Sequence, residues 1–187
     1  MALERSTARR SLALIVALLV TVSAPHASAG EAPPNAEPAP TRLPASDEAQ
    51  SDGSAFSRLL IPSIGVNELV RSGVALSVID QGPAHWVGTE SPGGPGNVVL
   101  AGHRTTHSAP FRDLDRLEVG DPVLISNADG FIAVYLVRDT FVVTPDDIWI
   151  TYEQGSPLLT MFACHPKGSA RQRIVVQADL LIGAPPP

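Results

Sequence analysis

The stretch from Asp121 to Val143, DPVLISNADGFIAVYLVRDTFVV, narrows the possible folds more than any other. Two runs rich in β-branched and aromatic residues flank the connection Asn127-Ala128-Asp129-Gly130. An Asp-Gly pair in a short connection between such runs is a hairpin signal, and it commits this part of the chain to antiparallel strands.

The same pattern recurs along the chain. Ser57 to Val70, SRLLIPSIGVNELV, divides into two short apolar runs at Pro62-Ser63 and Gly65. Asn97 to Gly102, NVVLAG, is a continuous apolar run of the kind a buried strand shows. It follows SPGGPG, Ser91 to Gly96, which suits neither a helix nor a central strand. Pro157 to Cys164, PLLTMFAC, and Arg171 to Gly183, RQRIVVQADLLIG, read as further strands. Helical spacing is scarce. Phe111, Leu114 and Leu117 suit one or two turns ended at Gly120, and Thr144 to Ile148 suits a turn or a short helix start. About seven strands with short insertions predict a mostly β domain, a closed barrel or a sandwich, which patterning alone does not separate.

This pattern begins at about Ala55, and the residues before it have a different composition. Residues 1–11 carry three arginines and one glutamate, Leu12 to Ala24 is uncharged and apolar, and Ala27-Ser28-Ala29 is a run of small residues. That order is a secretory signal peptide. As a helix the apolar run spans about 20 Å, short of the roughly 30 Å of a bilayer core. Residues 1–29 are therefore read as a signal peptide, with an uncleaved N-terminal anchor as the alternative. Residues 30–54 hold five prolines, one leucine and no aromatic residue, too little apolar surface to offset ordering entropy. They are read as a disordered linker. Residues 55–187 form one domain of ordinary size. It has no basic stripe and few aromatics for stacking on bases, which argues against a nucleic-acid partner.

An exported chain with a single cysteine, Cys164, poses a chemical question. Thiols usually pair in oxidising surroundings, and one left over is either inert and buried or reactive. A reactive thiol needs a proton-transfer partner and a positive group for a developing oxyanion. His103 directly follows the NVVLAG run, at a strand exit where a rigid scaffold can present it. Arg173 lies nine residues after Cys164. Pro166, Gly168 and Ser169 supply a turn that would bring it back beside the thiol on an antiparallel strand. Arg171 shares its strand face with Arg173. His165 is expected in a loop ahead of Pro166. His103, His107, Cys164 and His165 are residue types that bind zinc. Yet His103 and His107 would face one way only on a helix, and no second cysteine or nearby carboxylate accompanies them. No metal site is expected.

The motifs resemble the sortases, cysteine transpeptidases of Gram-positive cell surfaces. Thr160-Met161-Phe162-Ala163-Cys164 stands where the family carries Thr-Leu-x-Thr-Cys, followed by Arg173-Ile174-Val175-Val176 and preceded by Gly96-Asn97-Val98-Val99-Leu100-Ala101-Gly102-His103. GHRTTHSAPF, CHPKGSARQR, LLIPSIGV and LEVGD look most like the class E sortases of actinobacteria. The resemblance covers about residues 57–182. It departs at Met161, which conserves volume, at Ala163, which lacks a hydroxyl, and at His107, where relatives often carry tyrosine.

The resemblance implies an eight-stranded β-barrel with short helices. Cys164 would be the nucleophile, Arg173 the oxyanion group and His103 the proton carrier. Thr105, Thr106, His107, Ala109, Thr160 and Ala163 would adjoin the substrate. The substrates it implies are surface proteins bearing a Leu-Pro/Ala-x-Thr-Gly sorting signal, joined to a peptidoglycan precursor or another amine outside the cytoplasm. It requires no cofactor, and no acidic cluster evident in the sequence suggests calcium. A papain-like peptidase or a sortase-shaped binding module are the alternatives; the order of His103 before Cys164 speaks against the first.

Overall fold

The computed structural model describes residues 53–126 and 130–183. The readings of residues 1–29 and of most of 30–54, and the tip of the Asn127–Gly130 turn, lie outside them. Among the described residues no helix is long and apolar enough to cross a membrane.

Eight strands close into a barrel. They are β1 (Ala55–Ile61), β2 (Val66–Ser72), β3 (Ala84–His85), β4 (Asn97–Ala101), β5 (Pro122–Ser126), β6 (Ile132–Val143), β7 (Leu158–His165) and β8 (Gln172–Ile182). The order around the barrel is β1-β2-β3-β4-β7-β8-β6-β5, with β5 returning to β1. The SRLLIPSIGVNELV segment makes the antiparallel pair β1–β2 around a short 3-10 turn, Pro62–Ile64, closed by Gly65 at φ 68°. The Asp121–Val143 segment makes the hairpin β5–β6, and Gly130 at φ 82° takes the left-handed conformation that an Asp-Gly turn uses. Closure removes the exposed edges that would otherwise invite aggregation. Register shifts in the long β6–β8 pair bend those strands around the interior.

Alternation sets the core. Ala133, Tyr135 and Val137 of β6 point inward, as do Leu159, Met161 and Ala163 of β7 and Ile174, Val176 and Ala178 of β8. The outer faces of β7 and β8 are also partly covered. Val175 packs there with Val143 and Ile150, against Phe141 and Phe162. The cover comes from the β6–β7 connection, whose 3-10 turn spans Ile148–Thr151. Because both faces of β4 are covered, all five of its residues are buried, which is why it reads as a continuous apolar run.

Helical structure is as sparse as the spacing suggests. Phe111, Leu114 and Leu117 are buried around a 3-10 turn, Leu114–Arg116. A four-residue helix, α1 (Leu76–Ile79), and the two-residue β3 are additional to the elements read from the sequence.

Candidate active site

The site forms where three strand ends meet on the barrel's outer surface. In β7, Ala163 points into the core, so Cys164 next to it points out. The β7–β8 ladder pairs Cys164 directly with Arg173. Residues directly opposite on an antiparallel ladder share a face, with Cβ atoms about 5 Å apart. Cys164 is free and half-buried. Arg173 is half-buried too, and its guanidinium donates to the carbonyls of Ala170 (2.8 Å) and Gln172 (2.9 Å). Arg171 is exposed, its Nε 3.3 Å from the Ser169 hydroxyl.

His103 arrives from the other side. Strands β4 and β7 are parallel neighbours, with Ala101 beside Phe162, and Gly102 N–H donates to the Phe162 carbonyl (3.2 Å). The same register carried two residues further sets His103 level with Cys164. A cavity of about 160 Å³ is walled by His103, Cys164 and Arg173 together with Leu76, Ile79 and Phe162. A second, also about 160 Å³, shares Phe162 and Arg173 and extends to Trp86, Pro145, Ile148 and Ile150.

A carboxylate that the sequence reading missed completes the histidine's surroundings. His103 Nε2–H donates to Asp80 Oδ1 at 2.7 Å. Asp80 caps the C-terminus of α1 and is fixed by its backbone N–H, which bonds to the Leu76 carbonyl. With Nε2 holding the proton, Nδ1 of a neutral His103 is the basic nitrogen. His107 stacks on His103 with ring centroids 4.8 Å apart, and its Nδ1 lies 3.5 Å from the same Asp80 oxygen. No spacing rule could have found Asp80, which sits 23 residues upstream, just past a helix of one turn.

The loop after His103 is held from beneath. Arg104 is 2% exposed. It donates to the Asp115 carboxylate (3.0 Å), the Arg112 carbonyl (3.3 Å) and Nδ1 of His165. Burial pushes the Asp115 carboxyl up. The Arg104 charge, a backbone hydrogen bond and Lys167 outweigh it and hold the carboxyl below its usual range. His165 closes β7 instead of lying in a loop, paired with Gln172. A single buried guanidinium thus links the residue after His103 to the residue after Cys164.

The flanking residues separate into three groups. Thr105, Thr106 and His107 are exposed on the loop, and Ala109 is buried beneath it at φ 46°. Ala163 contributes to the cavity wall while packing in the barrel interior. Thr160 is not brought to the cavity that holds Cys164. It is fully buried, and its hydroxyl donates to Asn97 Oδ1 at 2.8 Å, which braces β7 against β4.

This arrangement defines a cysteine–histidine–arginine site on a closed β-barrel. The Sortase domain family profile matches residues 59–181, and the chain belongs to the sortase family. Sortase SrtE1 of Streptomyces coelicolor is 26% identical over 171 residues, covering 83% of this chain and 49% of that protein. The crystal structure of sortase E1 from the same organism, with a tripeptide in its active site, matches with a TM-score of 0.65 and 27% identity over 71% of this chain and 91% of that one. A Clostridium perfringens sortase D5 transpeptidase matches with a TM-score of 0.64 and 29% identity, over 72% and 83%. The chain spans 49% to 63% of the length of the curated relatives it matches.

Proposed function

We propose that the protein is a cysteine transpeptidase acting outside the cytoplasm on a C-terminal sorting signal of the Leu-Pro/Ala-x-Thr-Gly type. The Cys164 thiol passes its proton to His103, and its sulfur attacks the threonine carbonyl carbon. The carbonyl oxygen takes the negative charge, and Arg173 stabilises it with charge-assisted hydrogen bonds. Collapse of that intermediate breaks the Thr–Gly bond. His103 gives a proton to the departing glycine amine, leaving a thioester on Cys164. An incoming amine, from a peptidoglycan precursor or another surface molecule, loses a proton to His103 and attacks the thioester. The new amide leaves, and the Cys164 sulfur takes that proton back from His103 to regenerate the thiol. Covalent catalysis of this kind divides one hard acyl transfer into two easier ones.

The observation that carries this reading is the direct pairing of Cys164 with Arg173 on a strand whose other neighbour delivers His103 into the same cavity. The adjoining cavity along Trp86, Phe162 and Ile150 offers apolar wall for an extended peptide.

The test is mass spectrometry of the protein incubated with sorting peptides that carry proline or alanine at the second position. The expected result is a thioester adduct that added amine discharges, absent from Cys164→Ala. Equal transfer by Cys164→Ala and wild type would remove the assignment. Hydrolysis that added amine leaves unchanged would point to a peptidase.

A further inference from the structure

Asp80, His103 and His107 place one donor atom each within 4.8 Å of one another, and both histidines face the same Asp80 oxygen. We propose that these three residues form a binding site for a single zinc ion.

The donor set is two imidazole nitrogens and one carboxylate oxygen, which suits zinc and excludes calcium and magnesium, whose sites are built from oxygen. Ligands about 2.0–2.1 Å from a tetrahedral ion stand about 3.4 Å apart. Asp80 Oδ1 and His107 Nδ1 already stand 3.5 Å apart. Asp80 Oδ1 and His103 Nε2 stand 2.7 Å apart, because a proton rather than an ion bridges them. Zinc replaces that proton and widens the pair by about 0.7 Å.

The two rings are stacked with an interplanar angle of 23°, so their lone pairs do not converge as they stand. His107 supplies the adjustment. Its side chain is 47% exposed on the loop, and it turns about its own side-chain bonds without disturbing the core. Asp80, 38% exposed at the end of a one-turn helix, has similar latitude. Asp80 and His107 are partly exposed to solvent, and His103 also walls the cavity that holds Cys164. Zinc here occupies the imidazole of His103. With zinc on Nε2 the neutral ring carries its proton on Nδ1 and has no nitrogen left to accept another, so on the transpeptidase reading bound zinc and peptide transfer exclude one another.

The test measures binding alone, so its outcome is independent of whether the protein transfers peptides. Tag-free protein is titrated with zinc by calorimetry, and cobalt(II) serves as the spectroscopic probe. Wild type is expected to bind one zinc per chain. His107→Gln and Asp80→Asn should each weaken binding at least ten-fold, whereas Cys164→Ala should bind as wild type. Cobalt should give the strong visible absorption of a four-coordinate ion, without a sulfur-to-metal band. Binding that survives His107→Gln but not Cys164→Ala would place zinc between the thiol and His103 and overturn the proposal. So would the absence of saturable binding in wild type.

Discussion

Asp80 belongs to no sequence motif, yet it meets both histidines of the site. Its carboxylate accepts from His103 Nε2, which fixes the tautomer, and on the proposed mechanism it faces the positive charge the ring acquires. A hydrogen bond to a charged group is worth about 1.5–3 kcal/mol, or about ten-fold to a hundred-fold in rate. Asp80 is 38% exposed, so solvent screening favours the lower figure. Asp80→Asn is expected to lower kcat about ten-fold, by the same reasoning, with little change in KM. Nitrogen-15 NMR should show the His103 proton no longer confined to Nε2. An unchanged tautomer together with an unchanged kcat would reduce Asp80 to a surface contact. The two arginines present a cleaner contrast. Arg173 lies opposite the thiol and lines both cavities, whereas Arg171 is exposed beside Ser169. Arg173→Ala should cost about a hundred-fold or more in kcat/KM, as removal of an oxyanion donor does. Arg171→Ala should remain within a few-fold of wild type. The reverse order, read from peptide-transfer kinetics, would reassign the oxyanion role.

Between elements, the decisive relation is the parallel alignment of β4 and β7, and Gly102 protects it. A Cβ on Gly102 would come within 2.6 Å of the Phe111 ring, which is fully buried and has no room to yield. Phe111 N–H in turn donates to the His103 carbonyl at 3.1 Å, so a displaced ring moves the backbone that carries the imidazole. Gly102→Ala is expected to destabilise the fold by about 1–3 kcal/mol, the usual cost of overpacking. Transfer activity should fall more than that stability loss explains; denaturant unfolding and steady-state kinetics on the same preparation separate the two. Local strand signals were legible because they are local: apolar runs, the Asp-Gly turn, and the turn that folds Arg173 back toward Cys164. The choice of barrel over sandwich was not patterned in the sequence, nor was the β4–β7 register. Both depend on pairings between segments about sixty residues apart. Thr160 shows the complementary limit. It occupies a motif position, yet its hydroxyl is spent on Asn97 inside the sheet.

For the molecule as a whole, groups outside the cavity that holds Cys164 also link stability to acid pH. His85 is 5% exposed, stacked on Phe56 at 4.1 Å, and donates through Nε2 to the Glu90 carbonyl at 3.0 Å. Burial holds its pKa below the ordinary 6.5, against the smaller opposing pull of Glu90. The unfolded chain therefore takes up this proton before the folded one does. The stabilisation from keeping His85 neutral is complete above pH 6.5 and is lost progressively as pH falls from there toward the depressed folded value. One proton's difference gives a slope of at most about 1.4 kcal/mol per pH unit. Asp113, held low by its hydrogen bond to Lys167, and Asp147, held low by Thr144, act in a separate window. Their contributions are present above the ordinary 3.8 and fade below it. Urea unfolding at stepped pH should accordingly show wild type losing stability in two stages. His85→Gln keeps a hydrogen-bonding side chain but cannot take the proton, so it should flatten the upper stage and leave the lower one in place. If it retains the full slope just below pH 6.5, the buried imidazole is not the group that titrates there.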